Sequence, residues 1–303
     1  MTVPSRAAAA TWGRAQEIAE ARLKDSASAV EAMLAGYFAL ACSTSWGLFA
    51  GVTFVVGGGG ARLCFVDGRP RQAGRAGSRV KRREGPEDAP LAARAAVPGS
   101  VAAAAAVSAL FGVTLPKVTR AGAEIARDLG VKERVRLVSA IGTLGVRALV
   151  DRAFTEALLA TVPPNEGHPL SPDDFDAPAV DIVARGVVEG SFVRAPWADD
   201  SARALGVGRV VHAVLVVDRR GTLAAAVLES PEAELALADG SASLPVAGEP
   251  LRKGIPRLRP GSPLPIAAPV RVRLDGERPL DITLVGATQA VGVVPETGAA
   301  WAR

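Results

Sequence analysis

The sequence predicts an α+β layered sandwich, and three observations predict it. Hydrophobic residues make up 49% of the 303 residues and charged ones 22%, enough apolar material for a sizeable core. Helical and strand-like segments fall in blocks, in the order helices, strands, helices, strands, which fits layered α+β packing better than a regular βαβ array. Strand-like runs dominate from Arg209 onward. With aromatics at only 4%, the core must be built largely from alanine and other small residues, so its layers must approach closely.

Ala15 to Arg22 alternate small and charged residues and predict a first helix. Ser26 to Cys42 predict a second, capped by Ser26 or Ser28 and apolar nearly all round, as for a helix buried between layers. The stretch TSWGLFAGVTFVVGGGGARLCFVDGR reads as a strand, a four-glycine turn, a strand and an Asp67-Gly68 turn. Arg69 to Pro98 is a polar, basic loop. Helices follow over Val101 to Phe111 and Val118 to Leu129, separated by Gly112 and Pro116. Val131 to Leu159 continues helically with a break near Gly142 and Gly145. In the connection from Val162 to Pro178, Ser171-Pro172-Asp173-Asp174-Phe175 has an N-cap, a first-position proline and acidic residues in the first turn. Val180 to Phe192 reads as a strand pair, and Ala195 to Leu205 as weakly structured.

The stretch RVVHAVLVVDRRGTLAAAVLES, Arg209 to Ser230, is a hairpin. Two apolar runs flank Asp218-Arg219-Arg220-Gly221, whose glycine supplies a positive φ. A Gly-, Pro- and Ser-rich loop runs from Ala238 to Ser262. Strands follow at Val270 to Leu274, Ile282 to Val285 and Val291 to Val294.

Charge and special residues exclude several classes. The net charge is +4, and seven Lys/Arg fall within Arg69 to Arg83. That run suits a solvated loop. An anion- or nucleic-acid-binding role is disfavoured, because no aromatics interleave for base stacking. Cys42 and Cys64, in apolar surroundings, read as buried free thiols. Two His and two Cys at unrelated spacings make no metal site, and no cofactor is implied. The first residues lack a signal-peptide pattern and no stretch reads as a membrane span, so the expected location is cytoplasmic. Gly57 to Gly60 lacks the Lys-Ser/Thr ending of a P-loop and reads as a turn needing close backbone approach. His168 reads as a solvated loop residue. His212 is either a base or a packed histidine beside an apolar strand.

The hairpin resembles the start of the small subunit of γ-glutamyltranspeptidases, where a Thr-Thr-His lead runs into a Val-Val-Asp-x-x-Gly hairpin. Other segments resemble the family in the same order. These are AVEAMLAGYFALA with GGGGARLCFVDG, the Val-Pro-Gly at Val97 to Gly99, LSPDDF at Leu170 to Phe175, PLPIAAP at Pro263 to Pro269, and VGATQAVGVVPETG near the end. The resemblance implies a four-layer αββα sandwich of the N-terminal-nucleophile hydrolase type. It also implies a large-subunit-like region over 1–205 and a small-subunit-like region over 206–303, together one compact domain.

The departures concern the chemistry. The family's Thr-Thr-His lead, whose first Thr is exposed by self-cleavage as the nucleophile, matches Val210, Val211 and His212, and a valine side chain has no lone pair with which to attack a carbonyl. The paired oxyanion serines match Pro265 and Ile266, and proline lacks even a backbone N–H. The orienting Thr and Asn fall at Glu229 and Pro231, and both subunit-like regions are trimmed internally. The family's carboxylate-clamping arginine most nearly matches Arg75, although Arg75 is also one of seven basic residues in its run. The expectation is an uncleaved, non-catalytic chain serving as a binding or structural subunit, with another protein or a second copy as partner. The alternative is a γ-glutamyl or amide hydrolase with a non-standard nucleophile. Thr222, which follows Gly221, is a poor candidate for it, because a cut there would remove the first strand of the hairpin.

Overall fold

The computed structural model describes residues 6–25, 27–74, 90–162, 170–176, 180–198, 210–250, 257–266, 268–284, 289–294 and 299–303. Among the described residues, six α-helices, α1 (Gly13–Lys24), α2 (Ala29–Cys42), α3 (Ser100–Leu110), α4 (Leu115–Asp128), α5 (Lys132–Leu144) and α6 (Arg152–Thr161), join two six-stranded sheets and a small hairpin. The first sheet has the order β1 (Ala7–Ala10), β7 (Val211–Val217), β8 (Thr222–Glu229), β2 (Gly51–Gly58), β3 (Ala61–Gly68), β4 (Ile182–Val183). The second has the order β14 (Ala300–Ala302), β13 (Ala290–Val293), β12 (Arg278–Leu284), β11 (Val270–Asp275), β6 (Phe192–Arg194), β5 (Val187–Glu189). β9 (Glu234–Ala236) and β10 (Ser243–Pro245) pair with each other. Every pairing within the three sheets is antiparallel.

Period-two alternation divides the core in two. Val214 and Val216 of β7, Ala224 and Ala226 of β8, and Phe54 and Val56 of β2 face the helices. Ala213, Leu215, Val217, Leu223, Ala225 and Val55 face the second sheet and meet Val272, Ile282, Val291 and Val293. The α+β expectation holds. Of the four layers expected, the described residues form three: helices, first sheet, second sheet.

α2 lies at the centre of the helical layer, with every residue from Ala32 to Cys42 buried. Small residues permit close packing, as the composition predicts. At Gly122 of α4 a Cβ would come within 2.7 Å of both Cys42 Sγ and Phe38 O of α2, so only glycine fits. Both ends of α2 are held from far along the chain. Asp218 Oδ2 accepts from Ala29 N at 3.1 Å, and Arg134 of α5 donates through Nη1 to Cys42 O at 3.0 Å. A carboxylate at the N-terminus and a guanidinium at the C-terminus both complement the helix dipole.

Several expectations need correction. Asp67-Gly68 makes no turn: both residues end β3, and Asp67 is buried. Pro116 lies in the first turn of α4, where its missing N–H costs nothing, not between helices. The break after α5 falls at Gly145, with φ +61°, and not at Gly142. Val180 to Phe192 is no strand pair, since β4 extends the first sheet beside β3 while β5 pairs β6 in the second. The loop from Ala238 contains β10. Cys42 is buried, but Cys64 is only partly so.

Candidate functional site

The hairpin forms as its sequence predicts, with Asp218 organising the turn. Its Oδ1 accepts from Arg220 N at 2.9 Å and Thr222 N at 3.0 Å. The strand alternation then fixes what lies at the opposite end. Val211 opens β7 and points between the two sheets, packed against the inter-sheet core. Glu229 stands opposite both Val211 and Gly51, and is buried. Val210 precedes the strand and is exposed. It closes a reciprocal pair with Ser230, Val210 N donating to Ser230 Oγ at 2.9 Å and Ser230 N to Val210 O at 2.9 Å.

The structure brings Pro265 and Ile266 to this same end. Leu264 N donates to Pro70 O at 2.8 Å, and Ile266 bridges Ala198. Ile266 lies so close to β2 that a Cβ at Gly51 would be 2.8 Å from its Cγ2. Beside them is a cleft of about 130 Å³ lined in part by Gly51, Arg94, Glu229, Ser230, Pro265 and Ile266. Small-molecule sites usually enclose about 300–1,000 Å³, so this cleft suits a few waters better than a substrate. The sequence-matched positions therefore come to one end of the sheets, where Val211 and Ile266 pack between them and Pro265 and Ile266 seal the surface beside Glu229 and Ser230.

Next to the seal lies a polar cluster missed at the sequence level. Arg69 grips Asp67 with Nε at 3.0 Å and Nη2 at 2.9 Å, a bidentate arrangement. Its guanidinium lies 5.4 Å over the Trp197 ring, and Trp197 Nε1 donates to the buried Thr53 Oγ1 at 3.0 Å. Arg71 Nη2 reaches Asp181 at 3.3 Å. The signal was present in β3: Leu63, Phe65 and Asp67 share one face by period two, so the last of them places a carboxylate at the edge of an apolar layer. Burial demands a partner for such a charge, and two arginines follow within four residues.

His212 points to the helical side, away from Val211. Its ring stacks on Trp46, with centroids 5.6 Å apart, and Nδ1 lies 3.3 Å from Thr11 Oγ1. Burial pushes its pKa below the usual value. It is a packed histidine, and the hydroxyl beside it, Thr11 Oγ1, also accepts from Ala213 N at 3.0 Å. Thr222 sits at the far end of the hairpin, seven residues of β7 away from Val211, or about 20 Å at the usual strand rise. Gly57 to Gly60 turn there too, and a Cβ at Gly58 would lie 2.5 Å from Gly221 O, so the close approach is real. Arg75 and His168 lie outside the described residues, as does most of the basic run. Among the described residues no cluster of three or more His, Cys, Asp or Glu is placed to hold a metal. No described helix is long and apolar enough to cross a membrane.

No family model matches the chain, and no curated protein matches it. Solved structures do. The LmbA2991HD structure superposes with a TM-score of 0.69 at 14% identity, over 93% of this chain and 78% of that one. Cephalosporin acylase from Bacillus halodurans gives 0.65 at 11% identity, over 92% and 77%. A γ-glutamyltranspeptidase from Pseudomonas nitroreducens overlaps 58% of this chain and 66% of its own, at 17% identity and a TM-score of 0.49. The first two likenesses span nearly all of this chain and show that it shares their α+β fold.

Proposed function

We propose that the chain is a non-catalytic protein on an N-terminal-nucleophile hydrolase scaffold, uncleaved, and serving as a binding or structural subunit beside another protein or a second copy of itself. The observation that carries this reading is the seal at the start of β7. Val210 and Val211, with Pro265 and Ile266, stand at the positions that match the resembled family's nucleophile region and oxyanion donors. The cleft they leave, about 130 Å³, is too small for a γ-glutamyl substrate. Covalent catalysis of acyl transfer requires a nucleophile within hydrogen-bonding reach of a base. Ser230 Oγ, the hydroxyl that lines this cleft, accepts from the Val210 backbone, and His212 faces the other side of the sheet.

Two measurements test the reading. Intact mass should show one undivided chain, with no fragments split near Arg209. Purified protein should show no turnover of a chromogenic γ-glutamyl anilide or of an acylated amide. Turnover that vanishes in Ser230→Ala would establish a non-standard nucleophile and overturn the proposal.

A further inference from the structure

At the far end of β7 from the seal lies a second cleft, of about 390 Å³, within the range of small-molecule sites. Two hairpin tips and the start of α2 surround it. Leu23, Val30 and Phe111 line it together with Arg6, Arg219 and Arg220, and Arg6 lies against Leu23. Arg219 and Arg220 are exposed at the turn, and none of the three arginines has a carboxylate oxygen within 4.0 Å among the described residues. Arg6 is fixed in place by donating through Nη1 to Leu23 O at 2.6 Å, which leaves its other donors over. Asp218 also lines the cleft, but its carboxylate is taken up by three backbone N–H groups, from Ala29, Arg220 and Thr222. The α2 N-terminus is thereby capped by Asp218 and Ser28, so the positive field of the cleft comes from the guanidinium groups. Gly59, held side-chain-free by its contact with Thr222, leaves the cleft open there.

We propose that this cleft binds a small organic phosphate ester, its dianionic head held by Arg6, Arg219 and Arg220 and its apolar body laid against Leu23, Val30 and Phe111. Planar guanidinium forks match phosphate oxygens in pairs. The mixed apolar and cationic lining selects an ester over the bare ion, which would leave the apolar residues wet.

Calorimetric titration of the full chain with phenyl phosphate, inorganic phosphate and phenol tests this. Phenyl phosphate should saturate one site, inorganic phosphate should bind about tenfold or more weakly, which is the loss of the apolar contact, and phenol should give no saturable heat. The Arg219→Gln/Arg220→Gln double variant changes only exposed side chains, so its melting temperature should be unchanged while its affinity for phenyl phosphate falls at least about tenfold. Phenol binding equal to that of phenyl phosphate, undiminished binding by the double variant, or no saturable phenyl phosphate binding would each overturn the proposal.

Discussion

Asp218 Oδ2 accepts a hydrogen bond from Ala29 N at 3.1 Å, joining a hairpin turn to a helix start 189 residues away in sequence. The same carboxylate holds the turn through Arg220 N and Thr222 N. Asp218 is therefore a structural hinge pin, and packing alone accounts for the Val-Val-Asp-Arg-Arg-Gly turn of this chain. Asp218→Ala strands three backbone donors in a largely buried setting and should cost about 3 kcal/mol, whereas Asp218→Asn, which keeps an acceptor, should cost less than half of that. Urea denaturation measures both.

The opposite end of α2 should behave alike and independently. Arg134 donates to Cys42 O and, through Nε, to Ser241 O, both at 3.0 Å. Arg134→Met keeps the apolar stem but abandons both carbonyls, and should cost about 2 kcal/mol. A helix of 14 residues separates the two caps by about 20 Å, so the Asp218→Ala/Arg134→Met double variant should lose the sum of the two within about 0.5 kcal/mol. A large coupling would show that α2 responds to its ends as one unit.

What the sequence revealed and concealed follows from range. The hairpin, its turn, the Ser28 cap and the buried α2 were legible because each rests on alternation, capping or periodicity within a few residues. Asp67-Gly68 misled because that dipeptide is a strong turn signal, while the pairing of Arg69 and Arg71 with a strand-end carboxylate, which makes its burial tolerable, shows only in the fold. The split between β4 and β5 was invisible for a related reason. Strands of two and three residues carry almost no pattern, and the choice of sheet is made by Phe65 and Val66 on one side and Phe192 and Val193 on the other. At the site, the positions to compare were legible. That Val211 packs between the sheets in the same inter-sheet core as Ile266, while His212 turns away, required the strand register.

The two thiols should separate cleanly. Burial pushes the Cys42 thiol up to about 12, partly opposed by Arg134, so almost no thiolate exists near neutral pH. The Cys64 thiol is also raised by burial, but it is only partly covered. A disulfide reagent at pH 8 should label Cys64 slowly in the native protein and Cys42 only at the rate of global unfolding. Peptide mapping of the labelled chain distinguishes them, and fast labelling of Cys42 would contradict its packing against Gly122.

His212 gives stability a pH dependence of defined sign. Burial against Trp46 disfavours the imidazolium, so the folded-state pKa lies below the unfolded value of about 6.5. Below that value the unfolded chain takes up a proton that the folded chain resists. The unfolded state then binds more protons, and stability falls as pH falls. The contribution is intact above about pH 7 and is lost progressively from about pH 6.5 down to the folded pKa, where it levels off. Other groups titrate as well, so the informative quantity is the difference between variants. His212→Gln should remove part of the loss between about pH 7 and pH 5, while the wild-type chain keeps all of it. Unfolding free energies from urea titrations at several pH values report both. A slope unchanged by His212→Gln would mean that the ring accepts its proton without leaving Trp46, in which case the stack tolerates the imidazolium as a cation over an indole face.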